Sequence, residues 1–242
     1  MDTHERKTHM KAHCTDPDIN CRHCELKSPL FCFLNDEELD MVAENKLMIV
    51  YKKGETICKQ GTHMSHVISV TTGLAKMYLE SSEDHYSIIR IVRPTNFIGG
   101  PGIYLDQTHH YSVTALTDTS VCFIDLQTFK NLIDSNREFA HALMKELSKN
   151  ILSVYNRLSL LTIKQMPGRM ADTLIYLFDE VFEDTTFALD ISKKDMAELS
   201  GMAKDSAVKI LRDFQNRKII GYKNSAMTLL DRDMLYRISR TG

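Results

Sequence analysis

The spacing of apolar and polar residues predicts a β-rich region in the first part of the chain. Between about residues 37 and 132, short runs of β-branched and aromatic residues are separated by glycine or polar turns, which is typical of a β-sandwich or barrel. The runs predicted as strands are residues 46–51, 67–70, 74–79, 87–92, 111–116 and 120–124. A small antiparallel β-barrel is the simplest structure that accounts for them.

One long helix is predicted to follow the β-rich region. Apolar residues recur at alternating spacings of four and three along it, at Ala140, Met144, Leu147, Ile151, Val154, Leu158 and Leu161. This spacing is that of a coiled-coil seam, so we expect two copies of the chain to pair through it. The alternative is that the stripe packs against the chain's own core. A hinge is predicted next, at residues 165–168, because proline and glycine occur there together.

Residues 192–214 have the pattern of a helix-turn-helix. Ser192 and Asp195 form a capping-box signal at the start of a first helix, and Gly201 permits a sharp turn. The second helix places Ala207, Ile210, Leu211 and Phe214 toward a core and leaves the polar face outward. The first turns of such a helix enter the DNA major groove, whereas the alternative is an ordinary helical hairpin with solvated charges.

The candidate DNA-binding residues lie on this segment and beside it. They are Lys193, Lys204, Asp205, Ser206, Val208, Lys209, Arg212 and Lys218. Residues 192–223 are net basic although the whole chain has a formal net charge of −2, so positive charge is concentrated where phosphate contact is expected. A turn at residues 223–225 between two apolar runs predicts a β-hairpin, or wing.

Composition narrows the class of protein. The 242 residues suffice for two domains with a core, and no apolar run is long enough for a signal peptide or a membrane span, so a cytoplasmic protein is expected. In that compartment the six cysteines are expected to be thiols, metal ligands or redox groups rather than disulfides. No triad, P-loop or dinucleotide fingerprint is present, so an enzyme is not expected.

The order of parts, together with several short motifs, resembles the CRP/FNR family of bacterial transcription regulators. The motifs are Lys53-Gly54-Glu55, Gly61, Thr72-Gly73, Phe97-Ile98-Gly99 and the helix-turn-helix. The resemblance implies an α+β fold with an N-terminal β-roll, a long dimerisation helix and a C-terminal winged helix-turn-helix. The expected divisions are a cysteine-containing segment at 1–36, the β-roll at 37–135, the dimerisation helix at 136–164 and the DNA-binding domain at 165–242.

The resemblance also implies a signal sensed in the N-terminal part, a palindromic double-stranded DNA site and RNA polymerase as a partner. Members that bind cyclic nucleotides carry a Gly-Glu-x-Gly run followed by an Arg-Ser pair. Here Gly100 stands at the Glu position and His109-His110 lie near the Arg-Ser position. A neutral imidazole does not replace a permanently charged guanidinium fork, which argues against cyclic AMP as the ligand.

The cysteines instead resemble those of the oxygen-sensing FNR branch. The implied ligands of a [4Fe-4S] cluster are Cys21, Cys24, Cys32 and Cys122. The spacing from Cys24 to Cys32 is longer than in the typical FNR motif, so Cys14 or His23 is a possible substitute.

Other interpretations of these residues remain open. Cys122 and Cys58 also suit small buried apolar positions. Zinc on Cys14, Cys21, Cys24 and Cys32 is a second cofactor hypothesis. Haem is a third, with histidine ligands among His63, His66, His85, His109 and His110. A ligand-sensing signalling module that does not bind DNA is the alternative function.

Overall fold

The computed structural model describes residues 21–82 and 85–242. Cys14, a substitute ligand in the sequence interpretation, lies outside these ranges. By their contacts the residues form two compact units. Among the described residues, the N-terminal unit comprises 21–79 and 91–151, and the C-terminal unit comprises 80–82, 85–90 and 152–242.

The N-terminal unit opens with short helices that carry the first cysteines. Two 3-10 helices, Cys21–His23 and Pro29–Phe33, precede helix α1, Asp36–Glu44. Asn35 caps α1 in a reciprocal capping box with Glu38, and three acidic residues in the first turn favour the positive end of the helix dipole.

Two four-stranded sheets in a jelly-roll-like arrangement follow, and most of their residues belong to this unit. Their strands are β1 Lys46–Tyr51, β2 Thr56–Cys58, β3 His66–Thr72, β4 Ala75–Ser82, β5 His85–Val92, β6 Phe97–Ile98, β7 Ser112–Ala115 and β8 Thr119–Asp125. The order is β1-β8-β3-β6 in one sheet and β2-β7-β4-β5 in the other. The antiparallel, β-rich fold predicted from the apolar runs is therefore confirmed.

Helix α2, Leu126–Ser135, follows β8 directly, and helix α3 spans Arg137–Ile163. Phe129 stacks on Phe97 and meets Phe139 edge to face, so α2 and the start of α3 are joined through aromatic contacts to the core under the sheets. Leu143 completes this buried face of α3. The last twelve residues of α3, from Leu152 onward, belong to the C-terminal unit.

The C-terminal unit is a winged helix-turn-helix. Its helices are α4 Met166–Tyr176, α5 Lys193–Leu199, α6 Lys204–Asn216 and α7 Arg232–Thr241, and a π-helical turn at Leu177–Val181 extends α4. Strands β9 Thr186–Ala188, β10 Ile220–Lys223 and β11 Ala226–Leu229 form one antiparallel sheet in the order β10-β11-β9.

The predicted hinge at 165–168 is the break between α3 and α4. Pro167 lies in the first turn of α4, where a missing backbone N–H costs no helical hydrogen bond. Gly168 is buried, and an added Cβ would lie 2.7 Å from the carbonyl oxygen of Gly242. This glycine therefore serves the close packing of α4 on the end of the chain rather than the turn.

Candidate DNA interface and sensor residues

Helix α6 has one buried face and one exposed face. Ala207, Leu211 and Phe214 are buried, which fixes the rotation of the helix about its axis. The side chains on the other face include most of the candidate DNA-binding residues. Lys204, Asp205, Lys209 and Arg212 are exposed, and Ser206 and Val208 are half-buried. Cationic and polar groups are thus aligned along one side of a single regular helix, as base-edge readout in the major groove requires.

The helix α5 and the turn after it are fixed by local hydrogen bonds. The Ser192 hydroxyl accepts from the backbone N–H of Asp195, and the Asp195 carboxylate accepts from the N–H and hydroxyl of Ser192. Gly201 has a φ of +59°, a left-handed conformation that suits glycine. The predicted capping box and glycine turn are both present.

The flanking lysines are held differently. The Nζ of Lys193 lies 5.8 Å from the centre of the Tyr222 ring, so this lysine sits against the wing. Burial raises the pKa of Tyr222 to about 12, and its buried hydroxyl has no hydrogen-bond partner among the described residues. Lys218 is exposed just beyond α6, with a φ of +57°. Lys193 is thus adjacent to the wing, and Lys218 follows the C-terminal end of α6.

Two arginines that the sequence interpretation did not single out also contact the helix-turn-helix. Arg157 of α3 donates to the carbonyls of Glu198 and Leu199, and Arg169 of α4 donates to the carbonyl of Gly201. No local pattern marks them, because their acceptors lie more than thirty residues away along the chain.

The predicted seam on α3 is only partly exposed. Leu147 packs against the N-terminal core and Leu161 lies against Gly201, so these two side chains have partners within their own chain. Ala140 is half-buried. Met144, Ile151, Val154 and Leu158 remain 55%, 53%, 51% and 59% exposed. A regular row of four large apolar side chains in water is unusual for a surface that has no partner.

The first two candidate ligands, Cys21 and Cys24, lie close enough for their thiols to interact. Burial raises the pKa of the Cys21 thiol, while the neighbouring ammonium of Lys46 acts in the opposite direction. Between them, Arg22 ties the loop to α1. Its Nε donates to the Asp40 carboxylate at 2.7 Å, and its Nη1 donates to Asp36 at 3.1 Å.

The other two candidate ligands lie on separate elements. Cys32 is exposed on the second 3-10 helix, and Cys122 is half-buried on β8, where it pairs with Met48 of β1. The same strand pair aligns Lys46 with Ile124, so Cys122 is two residues along β8 from the partner of the lysine that contacts Cys21.

Cys21, Cys24, Cys32 and Cys122 thus lie on three elements and the loop between the first two. Within residues 21–82 and 85–242, no group of three or more His, Cys, Asp or Glu side chains is placed to hold a metal ion. Cys58, which was not a candidate ligand, is buried on β2, and burial raises its pKa to about 12.

The histidines proposed for haem are dispersed. His109 is buried, with its pKa lowered by burial and by the neighbouring His63, and its Nδ1 has no hydrogen bond among the described residues. His66 meets the Phe123 ring edge to face, and His110 pairs with Asp106. The side chain of His85 lies outside the part of the chain that the structure describes.

The loop at the expected cyclic-nucleotide position is closed by its own contacts. Tyr111 donates to the carbonyl of Gly99 at 2.5 Å, and a Cβ on Gly102 would lie 2.2 Å from the carbonyl oxygen of Thr108. Residues 99–111 contain no arginine.

None of the helices formed by the described residues is long and apolar enough to cross a bilayer.

Comparison with known proteins agrees with this architecture. Residues 48–136 match the family described as cyclic nucleotide-binding domain, and residues 168–238 match the Crp-like helix-turn-helix domain. The transcriptional activator protein Anr of Pseudomonas protegens is 26% identical over 93% of this chain and 91% of its own length. A CRP-like cAMP-activated global transcriptional regulator of Mycobacterium tuberculosis is 22% identical over 78% of this chain and 87% of its own.

Among solved structures, FixK2 from Bradyrhizobium japonicum has the same fold. It superimposes with a TM-score of 0.73 at 20% identity, covering 81% of this chain and 98% of that one. The β-roll, the long helix and the winged helix-turn-helix occur here in the same order as in these relatives. The chain belongs to the CRP/FNR family of DNA-binding transcription regulators, which are not enzymes.

Proposed function

We propose that this regulator binds two-fold-symmetric DNA as a homodimer, with an affinity controlled by an oxygen or redox signal sensed at its N-terminal cysteines. The observation that carries the DNA-reading part is the exposed row of Lys204, Asp205 and Lys209 on α6. RNA polymerase is proposed as a partner from the family resemblance alone.

Within this proposal each side chain of α6 has a distinct role. Lys209 donates to guanine O6 and N7, and Asp205 accepts from cytosine N4, one methylene shorter than the more usual Glu. Val208 packs on a thymine methyl group. Lys204 reaches a neighbouring base edge. Phosphate is contacted by Arg212, Lys193, Ser206 and Lys218, and these contacts position the winged helix-turn-helix on the duplex without specifying sequence.

The dimer part is supported by the exposed apolar side chains of Met144, Ile151, Val154 and Leu158. Pairing α3 with its twin would remove them from water, and the hydrophobic gain is on the order of 1.5–3 kcal/mol for each large side chain fully buried. A two-fold dimer presents two recognition helices to two half-sites, which accounts for the symmetry proposed for the DNA.

The sensing part is supported by how the cysteine-bearing segment joins α3. Phe31, next to Cys32, stacks on Phe139 with ring centres 6.2 Å apart. On the other side of Cys32, the Phe33 carbonyl accepts from Asn136 at 3.0 Å, and Asn136 also donates to Glu38. A change in the position of this segment would therefore alter the contacts of Phe139 and Asn136 at the start of the proposed dimerisation helix.

The signal itself is proposed from the cysteine pattern and from the similarity to Anr-type activators. The proposed ligand set for a [4Fe-4S] cluster is Cys21, Cys24, Cys32 and Cys122. Because the described residues contain no group of three or more candidate metal ligands, this proposal includes a rearrangement of residues 21–33 when the cluster binds. Haem at the β-roll histidines and zinc on the N-terminal cysteines are the alternatives.

The DNA-binding part is tested first. Selection of bound duplexes from a random pool should return a two-fold-symmetric site, and log affinity should fall linearly with log salt. A protein that selects no common sequence under aerobic or anaerobic conditions would contradict this part.

The sensing part is tested by anaerobic reconstitution with iron and sulfide, followed by iron counting and a visible absorption spectrum. Wild type is expected to take up iron and lose it in air, and Cys122→Ser should not reach full uptake. Cys58→Ala is the matched control, because Cys58 is a buried thiol outside the proposed set. Full iron uptake by Cys122→Ser, or none by wild type, would exclude this ligand set.

A further inference from the structure

The turn between α5 and α6 is held by two arginines from outside the helix-turn-helix. Arg157 of α3 donates from Nη1 to the Leu199 carbonyl at 2.6 Å and from Nη2 to the Glu198 carbonyl at 3.1 Å. Arg169 of α4 donates from Nη1 to the Gly201 carbonyl at 3.0 Å. The carbonyl oxygens of Leu199 and Gly201 are thereby satisfied at the end of α5. The Glu198 carbonyl, which also accepts from the N–H of Gly201, gains a second donor.

Arg157 caps α5 with a charged, half-buried side chain. Burial lowers the pKa of its guanidinium, and within the described residues it forms no ion pair with a carboxylate. Taking a charged group out of water is unfavourable unless strong hydrogen bonds replace the lost hydration. The hydrogen bonds to α5 replace part of that hydration, and the positive charge lies at the negative end of the α5 dipole. The guanidinium therefore holds α5 to α3.

The packing around the turn extends the same contact. The Cδ2 of Leu161 lies 2.3 Å from where a Cβ on Gly201 would be, so a larger residue at this turn would displace the Leu161 side chain of α3. On the α4 side, the buried Ser200 hydroxyl donates to Thr173 at 3.0 Å. The turn is therefore seated between the end of α3 and α4, and all of these residues belong to one compact unit.

Arg157 also lies beside the apolar row of α3. Leu158, the next residue, is 59% exposed and belongs to the seam proposed for dimerisation. Two successive residues of α3 thus face different neighbours. The Arg157 guanidinium contacts the helix-turn-helix, and Leu158 lies on the face proposed to contact the second copy of the chain.

We propose that Arg157 is a positioning residue that locks the helix-turn-helix to the end of α3, so that the pairing of α3 sets the distance between the two recognition helices. This inference rests on the proposed dimer and its two-fold DNA site. Without the lock, each α6 still reads its own half-site, but the two heads lose their fixed separation.

The test compares Arg157→Met, which removes both hydrogen bonds but keeps an apolar stem, with Arg157→Lys, which restores one donor. Lys145→Gln removes an exposed cation from the same helix and is the matched control. Affinity is measured for the duplex selected by wild type, for the same duplex with one or two base pairs inserted between half-sites, and for a single half-site.

Wild type and Lys145→Gln should strongly prefer the original spacing. Arg157→Met should bind the original duplex about tenfold more weakly, because fixed geometry is what makes the second contact effectively intramolecular. It should bind the single half-site as wild type does, and its preference for the original spacing should be largely lost. Arg157→Lys should recover part of that preference.

A purely structural role for Arg157 predicts a different result. If Arg157 only stabilised the fold, the variant would bind all three duplexes more weakly by the same factor, or would bind them normally once folded. Either outcome would overturn the positioning role. Thermal unfolding monitors folding of each variant, and Arg157→Lys keeps the test available if Arg157→Met does not fold. Wild-type protein that ignores half-site spacing would instead contradict the proposed dimer on DNA.

Discussion

Recognition helix α6 and the cysteine-bearing segment at residues 21–33 place chemical groups in different ways. On α6, exposed Lys204, Asp205 and Lys209 share one face of a single helix whose opposite face is buried. The four candidate cysteines lie on two 3-10 helices, the loop between them and strand β8. The first arrangement follows from helical periodicity alone, whereas the second depends on how distant segments pack.

The largest loss of DNA affinity is expected from a change that leaves the surface of α6 intact but prevents dimerisation. Ile151→Glu would place an unpaired carboxylate in the α3 pairing, which costs several kcal/mol. We expect a monomer whose affinity for a two-half-site duplex falls by about a hundredfold or more. Sedimentation with and without DNA measures this, and an unchanged dimer would show that α3 pairs through another face.

A smaller effect is expected within the α6 surface itself. Lys209→Ala should cost about 1–3 kcal/mol on the selected duplex and relax the preference at one base position. Lys218→Ala is the comparison, because loss of a phosphate contact should weaken all sequences alike and reduce the salt slope by about one. Binding-site selection with each variant distinguishes the two, and an unchanged preference in Lys209→Ala would remove this residue from base reading.

In the cysteine segment the expected effects are smaller, because the anchoring contacts are only partly buried. Arg22→Ala removes the bonds to Asp36 and Asp40 that tie the Cys21 loop to α1. Alkylation of Cys21 by iodoacetamide should become about two- to fivefold faster as the loop opens more often. Peptide mapping after timed labelling measures the rate, and Lys53→Ala, which changes an exposed residue far along the chain, is the control.

The smallest effect is expected at Cys58. The thiolate, and not the neutral thiol, reacts with alkylating agents. Because burial raises the pKa of Cys58 to about 12, its side chain stays a neutral thiol from neutral pH to well above pH 9. Folded protein should therefore show no labelling of Cys58 at pH 8 while exposed Cys32 is modified. Rapid labelling of Cys58 at that pH would mean that β2 separates from β7 frequently.

Much of the regular structure could be predicted from local pattern. Strand β1 covers the predicted residues 46–51, and α5 begins at the Ser192 cap because its capping box with Asp195 is a contact between residues three apart. Strands β2, β6 and β9 could not be found, because two or three residues carry no detectable alternation and are strands only through their pairing partners.

The candidate sites also differ in whether local pattern or long-range packing determines them. The sequence by itself determined the exposed face of α6 and the exposed row on α3, since a helix repeats its directions every few residues and its polar side is legible without neighbours. Only the tertiary structure decided that Leu161 packs on Gly201, that Arg157 holds the helix-turn-helix turn, and that Cys21 lies beside Lys46. These contacts join residues far apart in the chain, and their geometry is set by how helices and sheets pack rather than by any local period.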